Sequence, residues 1–423
     1  MRLAKQTSNL FRRHDRGRAG LDVSGLAGVI SIDPQSGTAD VQGMCTYETL
    51  VAVTCAQGFM PLVVPQLKTI TLGGAVTGLG IESTSLFNGL PHESVLEMDI
   101  LLGTGQVLSV SPTENSDLFR AFPNSYGSLG YAVRLRIVLQ PVAEMVALRH
   151  VRFSDLEELA SAVEVIAAER AWDAEPVDFV DGVMFSPVES YLTLGSWTDV
   201  GRPSDYTGQQ IFYRSIRERE RDCLTTADYL WRWDTDWFWC SGAFGAQHPL
   251  VRRIWPRRLR RSDVYHRLVA LEGRFDVAAR VARWGKQPPR ERVVQDIEVP
   301  LGRTAQFLRW FHSEVGMTPV WLCPLRSQES WPLYPLEPGQ IYVNVGFWGT
   351  VPIRDGARDG DVNRAIERAV ADIGGHKSLY SDAFYDRETF DALYGAAAYE
   401  SAKLRYDPQD RFTGMYEKVV GTR

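Results

Sequence analysis

The chain has 423 residues, 44% of them hydrophobic and 23% charged, which is enough for two substantial domains and makes disorder an unexpected state. Its formal net charge of −6 provides no whole-chain field for nucleic acid, so any basic recognition has to be local. Five scattered cysteines, Cys45, Cys55, Cys223, Cys240 and Cys323, form no CxxC pair and support neither a disulfide framework nor a zinc site. No apolar run reaches the roughly 18 residues of a membrane span, and the opening MRLAKQTSNLFRRHDRGR lacks the apolar core of a signal peptide, so a cytoplasmic protein is expected. Arginine far outnumbers lysine and alanine is abundant, as in proteins of GC-rich bacterial genomes.

In chain order, Gly28 to Gly43 predicts a hairpin around Pro34-Gln35-Ser36-Gly37. Thr46 is placed to cap a helix running to about Gln57, and an extended stretch from Leu62 ends at Pro65. A glycine-dense run follows: Thr71, Leu72, Gly73, Gly74, Ala75, Val76, Thr77, Gly78, Leu79, Gly80, Ile81, Glu82 and Ser83. Glycines at this density let a backbone turn tightly and aim several N–H groups at one anion. The run has no third glycine where a Rossmann fingerprint needs one and no Lys-Ser/Thr pair to close a P-loop. Taken alone, it is either a main-chain phosphate cradle or a plain connection.

Glu97 to Val110 reads as a second hairpin around Gly103-Thr104-Gly105. Asp117-Leu118-Phe119 opens a helix, then a turn at Gly127, Ser128, Leu129 and Gly130 leads into an alternating strand, Tyr131 to Leu139. Past a break near residues 141 to 147, Ser154 and Glu157 suggest a capping box for a helix to about Arg170. Strands are expected at Asp178 to Phe185, Tyr191 to Trp197, Val293 to Val299, Pro319 to Leu325 and Ile341 to Phe347. Helices at about Arg303 to Glu314 and Asp361 to Ile373 would cover one face of that antiparallel sheet and leave the other for a ligand. The fold class is therefore α+β.

Two segments stand out between these elements. Tyr229 to Trp239 holds four of the twelve tryptophans and suits either a tunnel wall over an alkyl substrate or a core-closing aromatic ladder. Arg252, Arg253, Arg257, Arg258, Arg260 and Arg261 surround Ile254, Trp255, Pro256 and Leu259. That cluster is a solvated face, a contact for the inner, anionic face of a membrane, or a site for the 2′-phosphate of NADPH.

The glycine run, the segment ENSDLFRAFPNSYGSLGYAVRLRIVLQP (Glu114 to Pro141) and the C-terminal YDPQDRF (Tyr406 to Phe412), in this order, resemble the FAD-binding domain of the PCMH type, the vanillyl-alcohol-oxidase superfamily. VVQDIEVPLGRTAQFLRWFHSEVGMTPVWLCPLR (Val293 to Arg326), IYVNVGFWG (Ile341 to Gly349) and LYSDAFYDRETFDALYG (Leu379 to Gly395) resemble its Δ24-sterol reductase branch. The resemblance implies a two-part FAD-binding domain over residues 1–145 and an α/β cap domain with an antiparallel sheet over 146–405. Residues 406–423 would return to the flavin side.

On that resemblance, Thr71 to Ser83 and Gly127 to Gly130 bind FAD. Arg2 to Asn9 looks like the family's first phosphate loop, without the αβ unit that usually precedes it. Many relatives attach flavin through a histidine in that loop; here Ser8 and Asn9 stand there, so FAD is expected to be non-covalent, with His14 and His92 the nearest histidines. The implied reaction is NADPH-dependent reduction of an isolated C=C bond in a lipid. A methylene-branched acyl chain is preferred, because the composition is bacterial in type and actinobacterial relatives of this branch reduce such chains, and a sterol side chain comes second; Cys240 after Phe238-Trp239, where sterol reductases tend to have Glu, argues for a different lipid. Candidate proton donors are Asp296, Tyr380 and Asp382, with Tyr385 nearby. An oxidase of a small alcohol or sugar, and a flavin-free or partner-dependent subunit, are the alternatives.

Overall fold

The structure, a computed structural model, describes residues 2–4, 11, 20–275 and 288–420. Ser8, Asn9 and His14 lie outside the described residues. The first hairpin forms where expected, Val29–Asp33 against Thr38–Gln42, because Asp33 accepts the amides of Gln35 and Ser36 across the turn. Thr46 caps the helix Tyr47–Cys55, its Oγ1 accepting from the Thr49 amide. The later helix Leu156–Glu169 corrects the expected capping box: its N-cap is Asp155, whose carboxylate accepts from the amides of Glu157 and Glu158, while Glu157 turns out to Arg309. A carboxylate at that position also complements the helix dipole.

Two sheets organise the chain. The first runs in the order Val29–Asp33, Thr38–Gln42, Tyr131–Pro141, Val95–Leu101, Val107–Val110, with Phe59–Pro61 also pairing with Tyr131–Pro141. The second has eight strands, ordered Arg221–Thr225, Met145–Phe153, Glu189–Thr198, Phe179–Ser186, Val320–Arg326, Ile341–Pro352, Arg290–Pro300, His376–Lys377. All of its pairings are antiparallel.

Because strand side chains alternate, each central strand of the second sheet feeds two different cores. Val180, Met184, Val293, Ile297, Val343, Val345, Phe347, Val320 and Leu322 pack with residues of the helices Leu156–Glu169, Leu301–Glu314 and Asp361–Asp372. The opposite parity places Phe179, Asp181, Trp321, Cys323, Asn344, Trp348, Asp296 and Glu298 on the helix-free face. There the apolar members join one continuous core with Val41, Ile100 and Leu135 of the first sheet and with Val76. The helix Ala396–Tyr406 also reaches the first half of the chain, Arg405 and Tyr406 bonding Asp117.

Candidate active site

The glycine run is more ordered than a loop. Leu72–Thr77 is a short helix capped by Thr71, whose Oγ1 accepts the Gly74 amide at 3.2 Å, and Thr77 bonds back to the Gly73 carbonyl. This corrects the expectation that the whole run offers main-chain donors. The Leu72 and Gly73 amides bond the carbonyls of Cys45 and Gly43, and those of Ala75 and Gly78 bond within the run. Among the described residues, the amides of Leu79, Gly80 and Ile81 make no such bond, so the donors lie at the exit of the run. Gly80 is needed there: a Cβ on it would come within 2.8 Å of Pro91 Cγ and 2.9 Å of Pro65 Cγ.

The turn before the strand Tyr131–Pro141 packs on this helix. Asn124 and Tyr126 donate their amides to the carbonyls of Val76 and Thr77, and Asn124, Tyr126 and Gly127 all have φ between 52° and 70°. Two non-glycine residues in that region cost about 1–3 kcal/mol each, strain of a kind that gathers at functional sites. Asn124 and Ser125 are wholly buried, and Asn124 Oδ1, Asn124 Nδ2 and Ser125 Oγ have no hydrogen-bond partner among the described residues. Buried polar atoms of this kind need a partner. Three orphaned atoms beside a glycine-rich helix fit a polar cofactor such as FAD. Lys403 and Lys418 hold the turn from behind through the carbonyls of Ser128 and Gly127, while Ser128 Oγ bonds the Ser125 carbonyl and Leu129 is buried in the core. Tyr126 OH accepts from the Leu379 amide and so ties the turn to the segment carrying Tyr380.

Glu82 and Ser83, at the end of the run, face the second sheet. Arg232, fully buried, donates to Glu82 Oε1 at 2.8 Å, to Asp181 Oδ2 at 2.9 Å and to the Tyr229 carbonyl. Asp181 also accepts from the indoles of Trp233 and Trp321, and Ser83 Oγ shares a hydrogen bond with Tyr229 OH. Burial pushes the Glu82 carboxyl above its usual range despite Arg232. The aromatic segment thus serves as core: Trp233 stacks on Phe238, and Phe238 stacks on Trp348 with centroids 4.3 Å apart.

Asp296 and Tyr380 are brought together on the helix-free face. The two groups interact electrostatically, Asp296 Oδ1 accepts from Asn344 Nδ2 at 3.2 Å, and Trp348 Nε1 donates to Tyr380 OH at 2.9 Å. Both side chains keep some accessible surface. Burial raises Asp296 from 3.8 to about 6 and holds the Tyr380 phenol well above its usual range, with the Asp296 charge adding to the second effect. Asp382, expected as a third candidate, is elsewhere: its carboxylate pairs with half-exposed Arg292 and its carbonyl with Lys377. Between residues 380 and 382 the chain passes Ser381, bridged to Phe11, which turns the two side chains to different surroundings. Tyr385 packs beside Tyr394, and His92 is buried edge-on to Trp331.

The arginine cluster is mostly structural. Arg252 is buried on Asp236 and the carbonyls of Tyr206, Gly208 and Gln210, Arg260 donates to further carbonyls, and Arg257 and Arg261 pair with Asp205 and Glu48. Buried carbonyls and carboxylates claim these cations, so only Arg253 and Arg258 are exposed with no ion-pair partner among the described residues.

With this geometry in view, the likeness to known proteins is specific. Residues 4–111 match the FAD binding domain family. The chain is 25% identical to the Delta(24)-sterol reductases of Homo sapiens and Arabidopsis thaliana, over 93% and 94% of its length and 76% of each relative. It is also 29% identical to cytokinin dehydrogenase 7 of Oryza sativa subsp. japonica, over 41% of this chain and 34% of that protein. The chain is an FAD-dependent oxidoreductase, homologous to the Delta(24)-sterol reductases. The flavoprotein's orphaned Asn124 and Ser125, with the Leu79 to Ile81 amides, are the groups available to hold FAD. Among the described residues no helix is long and apolar enough to cross a membrane, and no cluster of side chains could hold a metal ion.

Several of these groups are not distinguished by their types. Glu298 and Asn344 lie inside the family-like segments and Asp181 outside them, and only their shared parity with Asp296 or Trp321 sets them on one face. Asn124 and Ser125 precede the glycines that drew attention, and nothing in their types marks them.

Proposed function

We propose that the protein reduces an isolated C=C bond of a lipid, with FAD as bound redox group and NADPH as reductant. The observation that carries this reading is the grouping of Asp296 and Tyr380 on the helix-free face, with Tyr380 OH bonded by Trp348 and Trp348 stacked on Phe238; homology to the Delta(24)-sterol reductases over nearly the whole chain supports it. FAD, when bound, supplies the hydride that passes from the nicotinamide to one alkene carbon. An unconjugated alkene develops cationic character, so the proton to the other carbon has to come from a well-placed acid in a dry site. Tyr380 serves as that acid and stays protonated at neutral pH. Trp348 Nε1–H holds the phenolic oxygen as charge develops on it, and Asp296, ionised at neutral pH, takes up a solvent proton and passes it on to restore the phenol. The bond formed is C–H, the proton leaves Tyr380, and solvent replaces it through Asp296.

The lipid belongs to one of two kinds, a methylene-branched acyl chain or an unsaturated sterol side chain; the first is preferred on the bacterial-type composition, and Cys240 after Phe238-Trp239 departs from the sterol reductases. Access to a membrane-borne lipid is supported by Leu250 and Ile254, 69% and 80% exposed beside Arg253 and Arg258. The test is anaerobic. Flavin is reduced with NADPH, and a methylene-branched acyl lipid, a sterol with an unsaturated side chain and a polyol are added separately. Reoxidation by an alkene lipid alone supports the proposal; failure with both alkenes, or a response to the polyol, overturns it. Tyr380→Phe is expected to leave reduction by NADPH intact and slow alkene-dependent reoxidation by roughly 10²–10⁴-fold.

A further inference from the structure

Two residues beyond Asp296, on the same face of the strand Arg290–Pro300, Glu298 is completely buried. Its Oε2 accepts from the hydroxyl of buried Tyr334, and its Oε1 has no hydrogen-bond partner among the described residues. Directly opposite in the paired strand stands Asn344, also completely buried. Its Nδ2 donates to Asp296 Oδ1, and its own Oδ1 likewise has no partner. Two orphaned acceptor oxygens therefore belong to cross-strand neighbours, a pairing that brings Cβ atoms to about 4.5–5.5 Å. Leaving two buried acceptors without a donor is expensive, and one proton on Glu298 Oε1, donated to Asn344 Oδ1, satisfies both.

The surroundings of Glu298 favour that proton. Asp296 lies on its own strand, Asn344 on one neighbouring strand and His376 on the other. Tyr334 comes from the loop before the strand Ile341–Pro352, and Tyr380, Tyr385 and Tyr394 of the C-terminal segment lie close enough to feel its charge. Burial keeps His376 neutral, at about 4, and the nearby Lys377 ammonium is taken by Glu367 and the Asp382 carbonyl. No Lys or Arg among the described residues bonds Glu298. Desolvation and the Asp296 charge raise its carboxyl well above the usual range.

We infer that Glu298 is a positioning residue: its protonated carboxyl fixes the Asn344 amide so that Nδ2 can only donate to Asp296 Oδ1, leaving Oδ2 as the oxygen that carries the transferable proton. Donation then runs one way, from Glu298 through Asn344 to Asp296, beside Tyr380. This inference rests on the proposed alkene reduction for its consequence, but its central claim concerns protonation and can be measured without turnover.

The holoprotein is compared with Glu298→Gln and Glu298→Met by infrared spectroscopy at neutral pH, with ¹³C-labelled glutamate separating Glu from Asp carboxyls. A buried, protonated glutamic C=O band present in the wild type and lost in both variants is expected; its absence from the wild type overturns the inference whatever the activity. In the anaerobic assay Glu298→Gln, which still donates to Asn344, is expected to retain the wild-type pH profile. Glu298→Met, which cannot donate, should slow alkene-dependent reoxidation on the order of 10- to 100-fold and displace that profile. Asn344→Leu should reproduce the Met variant with flavin reduction by NADPH intact. Identical profiles for the Gln and Met variants would overturn the positioning role, whereas a wild type inert to every alkene would sink the proposed function and leave the infrared result to decide this one.

Discussion

The two halves of the candidate site are built by opposite means. On the first sheet's side, the Leu72–Thr77 helix and the Asn124 to Gly130 turn work through amides, small side chains and strained φ angles, within about 60 residues of chain. On the second sheet's side, Asp296, the Asn344 and Trp348 pair and Tyr380 come from three separate segments and work through side chains, those of the two strands aligned by register. The first half suits a ligand held by its polar backbone, and the second suits proton control. Arg232 is the ionic joint between them, with one carboxylate partner from each half, beside the Tyr126–Leu379 and Ser83–Val180 hydrogen bonds.

Breaking that joint has the largest expected effect. Arg232→Met leaves Glu82 and Asp181 buried without their cation and should cost about 3–5 kcal/mol, measured by denaturant unfolding. A loss below about 1 kcal/mol would mean that the ion pairs contribute little to holding the halves together. Next, Gly80→Ala drives a methyl into Pro65 and Pro91 and shifts the exit amides, with a strain of about 1–3 kcal/mol. Its expected outcome is a folded protein that loses visible flavin absorbance on gel filtration, and full retention of FAD would show that the run does not bind it.

The second half is tested by pH. The folded state holds the Asp296 proton up to about 6, against an ordinary 3.8, so folding binds an extra proton between those values. Stability contributed by this residue is greatest below 3.8 and declines as pH rises through 6. Melting temperatures of wild type and Asp296→Asn should therefore diverge in favour of the variant from pH 4 to pH 7, and parallel curves would refute the assignment. The smallest effect belongs to neither half. Asp155→Ala should cost about 1 kcal/mol without touching flavin, and Ser154→Ala much less, because Asp155 makes the cap bonds.

Much of the fold is legible along the chain, since hairpins such as Gly28 to Gly43 and strands such as Val293 to Val299 are specified by local turn chemistry and two-residue alternation. The Leu72–Thr77 helix is not, because its glycines carry little helix propensity and it forms only when Thr71 caps it and Gly43 accepts its amide. Asp296 and Tyr380 could be proposed from family-like motifs, yet Asp382, in the same motif as Tyr380, faces Arg292.

Sequence alone determined the α+β class and the strands of the second sheet, because two-residue alternation and turn chemistry are local properties, whereas the FAD-binding reading of the first region came from its resemblance to a family. Tertiary structure decided which polar residues are partners. Arg252 is buried on Asp236 instead of facing a membrane, and Glu298 meets Asn344 only through strands 46 residues apart in their paired register. The physical reason is that a buried charge or amide is defined by what desolvates and bonds it, and those groups are brought in by packing from distant segments.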